Sequence, residues 1–255
     1  MRAKPRRDEI KDVLRTSPAS VEELAGRYGV SPSTIRRDLA VLTVQGDVVR
    51  TYGGALAPAP GEQSLHQREH LALAQKSAIA LAGARRIRDG QFLLLDAGTT
   101  VGALARVLAE GHRLTVATNG LTSIDILADS PEVELVVLGG ALRHISQGMI
   151  GPLAESALAT LSADIVFLGA DGVSAERGIC EGTAEQASVK RLMVERSADV
   201  VVLADASKLG NTGSHWWTPI PRAWTLITDD SATEAQLEAF RRHPEITVEV
   251  SPSRR

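Results

Sequence analysis

Apolar residues recur at helical spacing in three short blocks near the start of the chain. Ile10, Val13 and Leu14 share a face within Arg6 to Arg15, which predicts a first helix ending near Ser17-Pro18. Ser20-Val21-Glu22-Glu23 has the form of a capping box and opens a second helix through Tyr28, after which Gly29 offers a left-handed turn. Ser31 can cap a third helix with Pro32 at its first position. On that helix Ile35, Leu39 and Leu42 line one narrow face, while Ser33, Arg37 and Ala40 lie opposite, flanked by Thr34 and Arg36. Only Gly29 and Val30 separate the second helix from the Ser31 cap, the short turn of a helix-turn-helix.

After Gln45-Gly46-Asp47 the period changes. Val48 to Tyr52 is β-branched and aromatic, and Gly53-Gly54 turns the chain into Ala55-Leu56, a short hairpin or wing with Arg50 and Tyr52 on one face. Ala57-Pro58-Ala59-Pro60-Gly61 has no apolar period and reads as a linker. The predicted organisation is a winged helix-turn-helix over 1–57, a linker over 58–64 and an α/β domain over 65–255.

In the third region, Leu65 to Ile87 is helix-prone. Short apolar runs then alternate with helical patterns. The strands expected are Phe92–Leu95, Leu114–Ala117, Leu135–Leu138, Ile165–Leu168, Val200–Leu203, Leu226–Thr228 and Thr247–Val250. Between them lie helices at Gly102–Leu108, Ser123–Leu127, Leu153–Leu161, Glu185–Arg196 and Ala232–Arg241. This alternation predicts a mainly parallel sheet covered on both faces.

Composition narrows the setting. In 255 residues no apolar run approaches the roughly 18 needed for a membrane span, and basic Met1 to Arg7 is followed by no apolar signal core. A soluble, cytoplasmic chain with no membrane partner is expected. A single cysteine, Cys180, excludes an intrachain disulfide and a multi-cysteine zinc site. The net charge of −3 divides unevenly: residues 1–56 carry 10 Lys+Arg against 7 Asp+Glu, and the remainder carries 18 against 24. A basic head therefore precedes an acidic body, and the head suits a polyanion.

The third helix offers a short, hydroxylated and cationic side, a surface that fits the major groove of double-stranded DNA. Ser31, Ser33, Thr34, Arg36 and Arg37 are the candidate contacts there, with Arg50 and Tyr52 on the wing for phosphates or the minor groove. The alternative for such a module is protein binding. In the body, ligands belong beyond the carboxyl ends of the strands. The residues following those ends are Asp96-Ala97-Gly98-Thr99-Thr100, Thr118-Asn119-Gly120, Gly139-Gly140 with Arg143 close behind, Gly169-Ala170-Asp171-Gly172 and Asp205-Ala206-Ser207-Lys208. Amides at a helix start, two hydroxyls and a flexible glycine can cradle a phosphate, and acids or amides can meet sugar hydroxyls. No G-x-G-x-x-G or P-loop pattern supports a dinucleotide or nucleoside triphosphate, so a phosphorylated sugar is the better fit. His66 and His70 are four apart, yet with no His-Glu-x-x-His pattern and no third ligand nearby, no metal is expected, nor any cofactor.

The head resembles the DeoR family of bacterial transcription regulators through Glu23-Leu24-Ala25, Val30-Ser31, Thr34-Ile35-Arg36-Arg37-Asp38-Leu39, Leu42, Gly46, Arg50 and Gly53-Gly54-Ala55. The body is similar to the same family through its Asp96 to Thr100 run, Thr118-Asn119, Gly139-Gly140, Arg143, Gly151-Pro152, Gly169 to Gly172, Glu185, Lys190-Arg191, Leu203-Ala204-Asp205 and Ser207-Lys208. The resemblance implies a recognition helix, and a sensor domain similar to ribose-5-phosphate isomerase whose pocket is lined by Asp96, Thr99, Thr100, Asn119, Asp171, Glu185 and Lys208. Gly98, Gly139 and Gly140 join that effector set. Asp38 is expected to pair internally, since a carboxylate facing phosphate would repel it. Lys190 reads equally as a pocket residue or a solvated one. Glu181-Gly182-Thr183-Ala184-Glu185 departs from the polar run common in the family, which leaves the effector open. Asn211 to Trp217 is either a lid or an aromatic cluster in the core, the latter favoured.

These readings converge on a repressor of a carbohydrate-metabolism operon. It would act as a homo-oligomer, dimer or tetramer, and be modulated by a phosphorylated sugar. An aldose-ketose isomerase carrying an accessory winged helix is the alternative, because Asp96, Asp171, Glu185 and Lys208 could move a proton beside a carbonyl.

Overall fold

A computed structural model describes residues 3–44, 47–51, 53–56 and 63–253. The chain divides into two units: residues 1–71 with 144–146, and residues 72–143 with 147–255.

The first unit opens with α1 (Ala3–Thr16), β1 (Ala19–Ser20), α2 (Val21–Tyr28) and α3 (Pro32–Val44), followed by β2 (Val49–Thr51) and β3 (Gly54–Leu56). The capping box forms as the sequence requires: the Glu23 amide donates to Ser20 Oγ at 3.1 Å, and the Ser20 amide donates to Glu23 Oε2 at 2.7 Å. Gly29 at φ 61° ends α2, and the Thr34 amide donates to Ser31 Oγ at 3.2 Å to start α3. The three strands pair in the order β1-β3-β2. Only glycine fits at position 54, because any Cβ there would lie 2.3 Å from the Ala19 carbonyl oxygen. Ile10, Leu14, Val21, Leu24, Ile35, Leu39, Leu42, Val48 and Ala55 form one buried core.

The helix-prone stretch after the linker is two helices, α4 (Leu65–Glu69) and α5 (Leu73–Ala84). Ala72 breaks the run by adopting the left-handed conformation at φ 52°.

The second unit holds all seven expected strands: β4 (Phe92–Leu95), β5 (Leu114–Thr118), β6 (Val133–Val137), β9 (Ala163–Leu168), β12 (Ser197–Leu203), β14 (Trp224–Asp229) and β15 (Ile246–Ser251). They form one sheet in the order β15-β14-β12-β9-β4-β5-β6, with every pairing parallel. Alternate side chains point to opposite faces. Leu93, Leu95, Val116, Phe167, Val201 and Ile227 pack with α5, α6 (Thr99–Leu108) and α7 (Leu121–Leu127). Leu94, Ala117, Val166, Leu168, Val202 and Leu226 pack against α8 (Pro152–Ala159), α9 (Ala184–Glu195) and α10 (Glu234–Arg241). Such double coverage is why these strands read as unbroken apolar runs.

Two smaller sheets lay outside the sequence reading. A hairpin joins β7 (Ala141–Arg143) to β8 (Gly148–Ile150), and β10 (Gly172–Ser174), β11 (Gly178–Glu181) and β13 (Trp216–Thr218) pair antiparallel in that order. The favoured core packing of the tryptophans is not what forms. Trp216 is about half exposed at 49%, and Trp217 carries the Arg177 guanidinium 3.9 Å from its ring centroid. Both sit on β13, whose pairing with β11 makes them strand residues. Among the described residues no helix is long and apolar enough to cross a membrane.

Candidate functional site

On α3 the apolar stripe is buried and the opposite side is open. Ile35, Leu39 and Leu42 are sealed in the core, whereas Ser31, Ser33, Arg36 and Arg37 are exposed and Thr34 is half-buried. Ser31 Oγ lies 2.8 Å from Ser33 Oγ and 2.9 Å from Thr34 Oγ1, a small hydroxyl cluster at the helix start. Arg36 reaches Glu22 only loosely, at 3.7 Å between exposed groups, so it is available to an anion. Asp38 pairs internally as expected: Arg6 Nε donates to its Oδ2 at 2.6 Å and Arg7 Nε to its Oδ1 at 2.9 Å. This buried carboxylate ties α1 to α3 and fixes the angle of the helix that carries the exposed arginines. Arg50 lies on β2, opposite Ala55 of β3, and Tyr52 lies outside the described residues.

In the second unit, the order of the sheet decides where a cleft must open. The order in which strands are added reverses between the parallel strands β4 and β9: β5 and β6 extend to one side of β4, and β12, β14 and β15 to the other side of β9. Helices leaving neighbouring strands to opposite faces part at such a point, and ligands bind in the gap. The residues after these two strands, Asp96 and Gly169, are joined directly, the Gly169 amide donating to Asp96 Oδ2 at 3.1 Å.

Lys190 occupies the centre of this arrangement. Its ammonium donates to Asp96 Oδ2 at 2.8 Å, to the Gly169 carbonyl at 2.8 Å and to Glu181 Oε1 at closer range. Gln186 Nε2 holds the other Glu181 oxygen at 3.1 Å. All three donor positions of the lysine are used, and Lys190, Asp96 and Glu181 are all buried. Two acids and one ammonium balance only when one acid keeps its proton. Burial pushes the Glu181 carboxyl up to about 8 against the pull of Lys190, with Asp171 and Asp96 reinforcing burial. Burial works against the Lys190 ammonium as well, yet the two carboxyls beside it hold it above the ordinary lysine range.

Most of the other candidates lie beyond the carboxyl ends of the same parallel strands. Gly98, with no side-chain cap, precedes α6, and Thr99 and Thr100 begin it, so its first amides have no acceptor within the helix. Asn119 follows β5 and is buried, its amide donating to the Met149 carbonyl at 3.1 Å while its Oδ1 has no hydrogen-bond partner. Asp171 is half-buried beyond β9, and Lys208 is half-buried on a 3-10 turn (Ala206–Lys208) beyond β12. Gly139 and Gly140 follow β6 at φ 71° and 115°; a Cβ on Gly140 would come within 2.5 Å of Ile150 O, so close passage of the β7–β8 hairpin accounts for that glycine. Glu185 stands exposed in the first turn of α9, and the inward acid is Glu181. Thr183 caps α9 through the Gln186 amide. The signal for Lys190 was present in the sequence: it falls among Gln186, Val189, Met193 and Val194, the buried stripe of its helix.

Residues 72–230 match the DeoR C-terminal sensor domain, and residues 6–60 match the DeoR-like helix-turn-helix domain. The chain belongs to the DeoR family. It is a DNA-binding transcriptional regulator, and its DeoR relatives are named as regulators, not enzymes. A protein provisionally named the aga operon transcriptional repressor of Escherichia coli O157:H7 is 35% identical over 93% of this chain and 90% of its own. The glycerol-3-phosphate regulon repressor of Escherichia coli strain K12 is 32% identical over 92% of this chain and 93% of its own. A ribose-5-phosphate isomerase from Methanocaldococcus jannaschii aligns with 52% of each chain at 20% identity and a TM-score of 0.39.

Proposed function

We propose that this regulator represses a carbohydrate-metabolism operon and that a phosphorylated sugar or related metabolite, bound at the β4–β9 switch point, alters its hold on operator DNA. The observation that carries the reading is the convergence of Asp96, the α6 start and Asn119 on one edge of the sheet, around a lysine whose donors are already used. Lys190 therefore serves as an internal strut. The phosphate falls to the amides of Gly98, Thr99 and Thr100, with Lys208, beyond β12, as the candidate cation. The unpaired Asn119 Oδ1 accepts a sugar hydroxyl, and Asp96 and Asp171 supply further acceptors. The name of the glycerol-3-phosphate regulon repressor above, tied to a small phosphorylated metabolite, agrees with this ligand class.

At the head, Ser31, Ser33, Thr34, Arg36 and Arg37 meet the major groove, and Arg50 and Tyr52 meet phosphates or the minor groove. A head this small buries little DNA surface by itself, so a homo-oligomer, dimer or tetramer, brings several heads to repeated half-sites. A thermal-shift screen of the full chain against sugar phosphates tests the reading. The expected result is a raised melting temperature with one chemical group of ligands and a smaller rise in Asn119→Ala. Equal shifts in wild type and variant would move the site away from the switch point.

A further inference from the structure

The turn of helix in α4 is held more firmly than its length suggests. Ser64 and Gln67 form a reciprocal cap, at 3.2 Å from the Gln67 amide to Ser64 Oγ and 2.9 Å from the Ser64 amide to Gln67 Oε1. The Leu65 amide donates to the Ile145 carbonyl at 2.7 Å, and both side chains are buried. The anchored turn presents His66, Glu69 and His70, positions i, i+3 and i+4, which lie on one face. His66 Nδ1 is 3.5 Å from Glu69 Oε2, and the two imidazole rings meet edge to face with centroids 5.6 Å apart. One ligand atom from each of the three residues lies within 4.8 Å of the others. Spacing alone picks out the two imidazoles. Glu69 is the third donor, and the run has the His-x-x-Glu-His order.

We propose that His66, Glu69 and His70 bind a single divalent transition-metal ion of the zinc type. Two imidazoles and a carboxylate are the donor set that zinc, cobalt and nickel accept. Bond lengths of about 2.0–2.2 Å place donor atoms about 3.4 Å apart around a tetrahedral ion. Both histidines are exposed and Glu69 is half-buried, so these side chains have room to turn toward one ion. Three protein donors leave a coordination position for water. A bound ion would also clamp a helix too short to persist by its own propensity.

The test is a calorimetric titration of zinc chloride into chelator-stripped, tag-free full-length protein. The expected result is one equivalent bound by wild type, with affinity at least about tenfold weaker in His66→Ala and in His70→Ala. Glu69→Gln should weaken binding by less. His112→Ala, which alters a histidine paired elsewhere with Asp89, should bind as wild type does. Circular dichroism of each variant checks the fold, which substitution on an exposed face should leave intact. No binding by wild type, or equal binding by His66→Ala and His70→Ala, would overturn the proposal.

Discussion

Glu181 is the residue whose environment most changes its chemistry. Its carboxyl keeps a proton to about 8, well above its ordinary 4.5, because burial outweighs the neighbouring ammonium. The folded state therefore binds the proton more tightly than the unfolded state, and the stability this confers is complete below about 4.5. It is lost as pH rises toward 8. Urea melts at pH 5, 6, 7 and 8 should show this fall in wild type and a flatter profile in Glu181→Gln, which keeps a neutral group of the same shape. Parallel profiles would mean that Glu181 is ionised throughout. A different logic governs Arg37, an exposed side chain on the open side of α3. If it reads a base, Arg37→Ala should cost about 1–3 kcal/mol on the operator and relax sequence preference. Equal losses on operator and random DNA, measured by fluorescence anisotropy at fixed salt, would reassign it to phosphate.

At the scale of elements, the head depends on one ion pair more than on any cap. Asp38 joins α1 to α3 from within the core, so Asp38→Ala takes away the buried carboxylate to which both Arg6 and Arg7 donate. Breaking a buried pair of this kind costs about 3–5 kcal/mol, a large share of what a small domain has. The expected outcome is an early melting transition with operator and random DNA affinity lost together, while effector binding survives. Loss of sequence preference alone, in a folded head, would instead make Asp38 a reader of DNA. The helices and the seven parallel strands were legible in advance because each follows from periodicity over its own few residues, as with Ile35, Leu39 and Leu42. The small sheets were not. Val173 pairs with Ile179, and Cys180 with Trp217, through backbone groups that leave no periodic trace. The candidate site divided the same way. Asp96, Thr99 and Asn119 follow strands and could be found by position, whereas Glu181 and Lys190 meet Asp96 only after β11 and α9 have docked on the sheet. Within the sensor chain nothing local distinguished exposed Glu185 from buried Glu181.

For the whole molecule, a ligand needs only to favour one arrangement of sensor and head over another. Linkage then requires reciprocity: whatever factor an effector applies to operator affinity, operator DNA must apply to effector affinity. For any ligand found by thermal shift, titrations of effector with and without operator should return the same factor as titrations of operator with and without effector. Unequal factors would mean that the two reactions are not measured on one equilibrium. The sheet order also has a consequence in time. Among the described residues the head's buried core runs from Ile10 to Ala55, a segment made early in synthesis. β9 is the central strand of the sensor sheet and pairs with β4, yet it is not made until Ala163–Leu168. Domains fold as units in the order they emerge. A nascent chain can therefore carry a folded head before the sensor sheet, with its switch point between β4 and β9, has been completed.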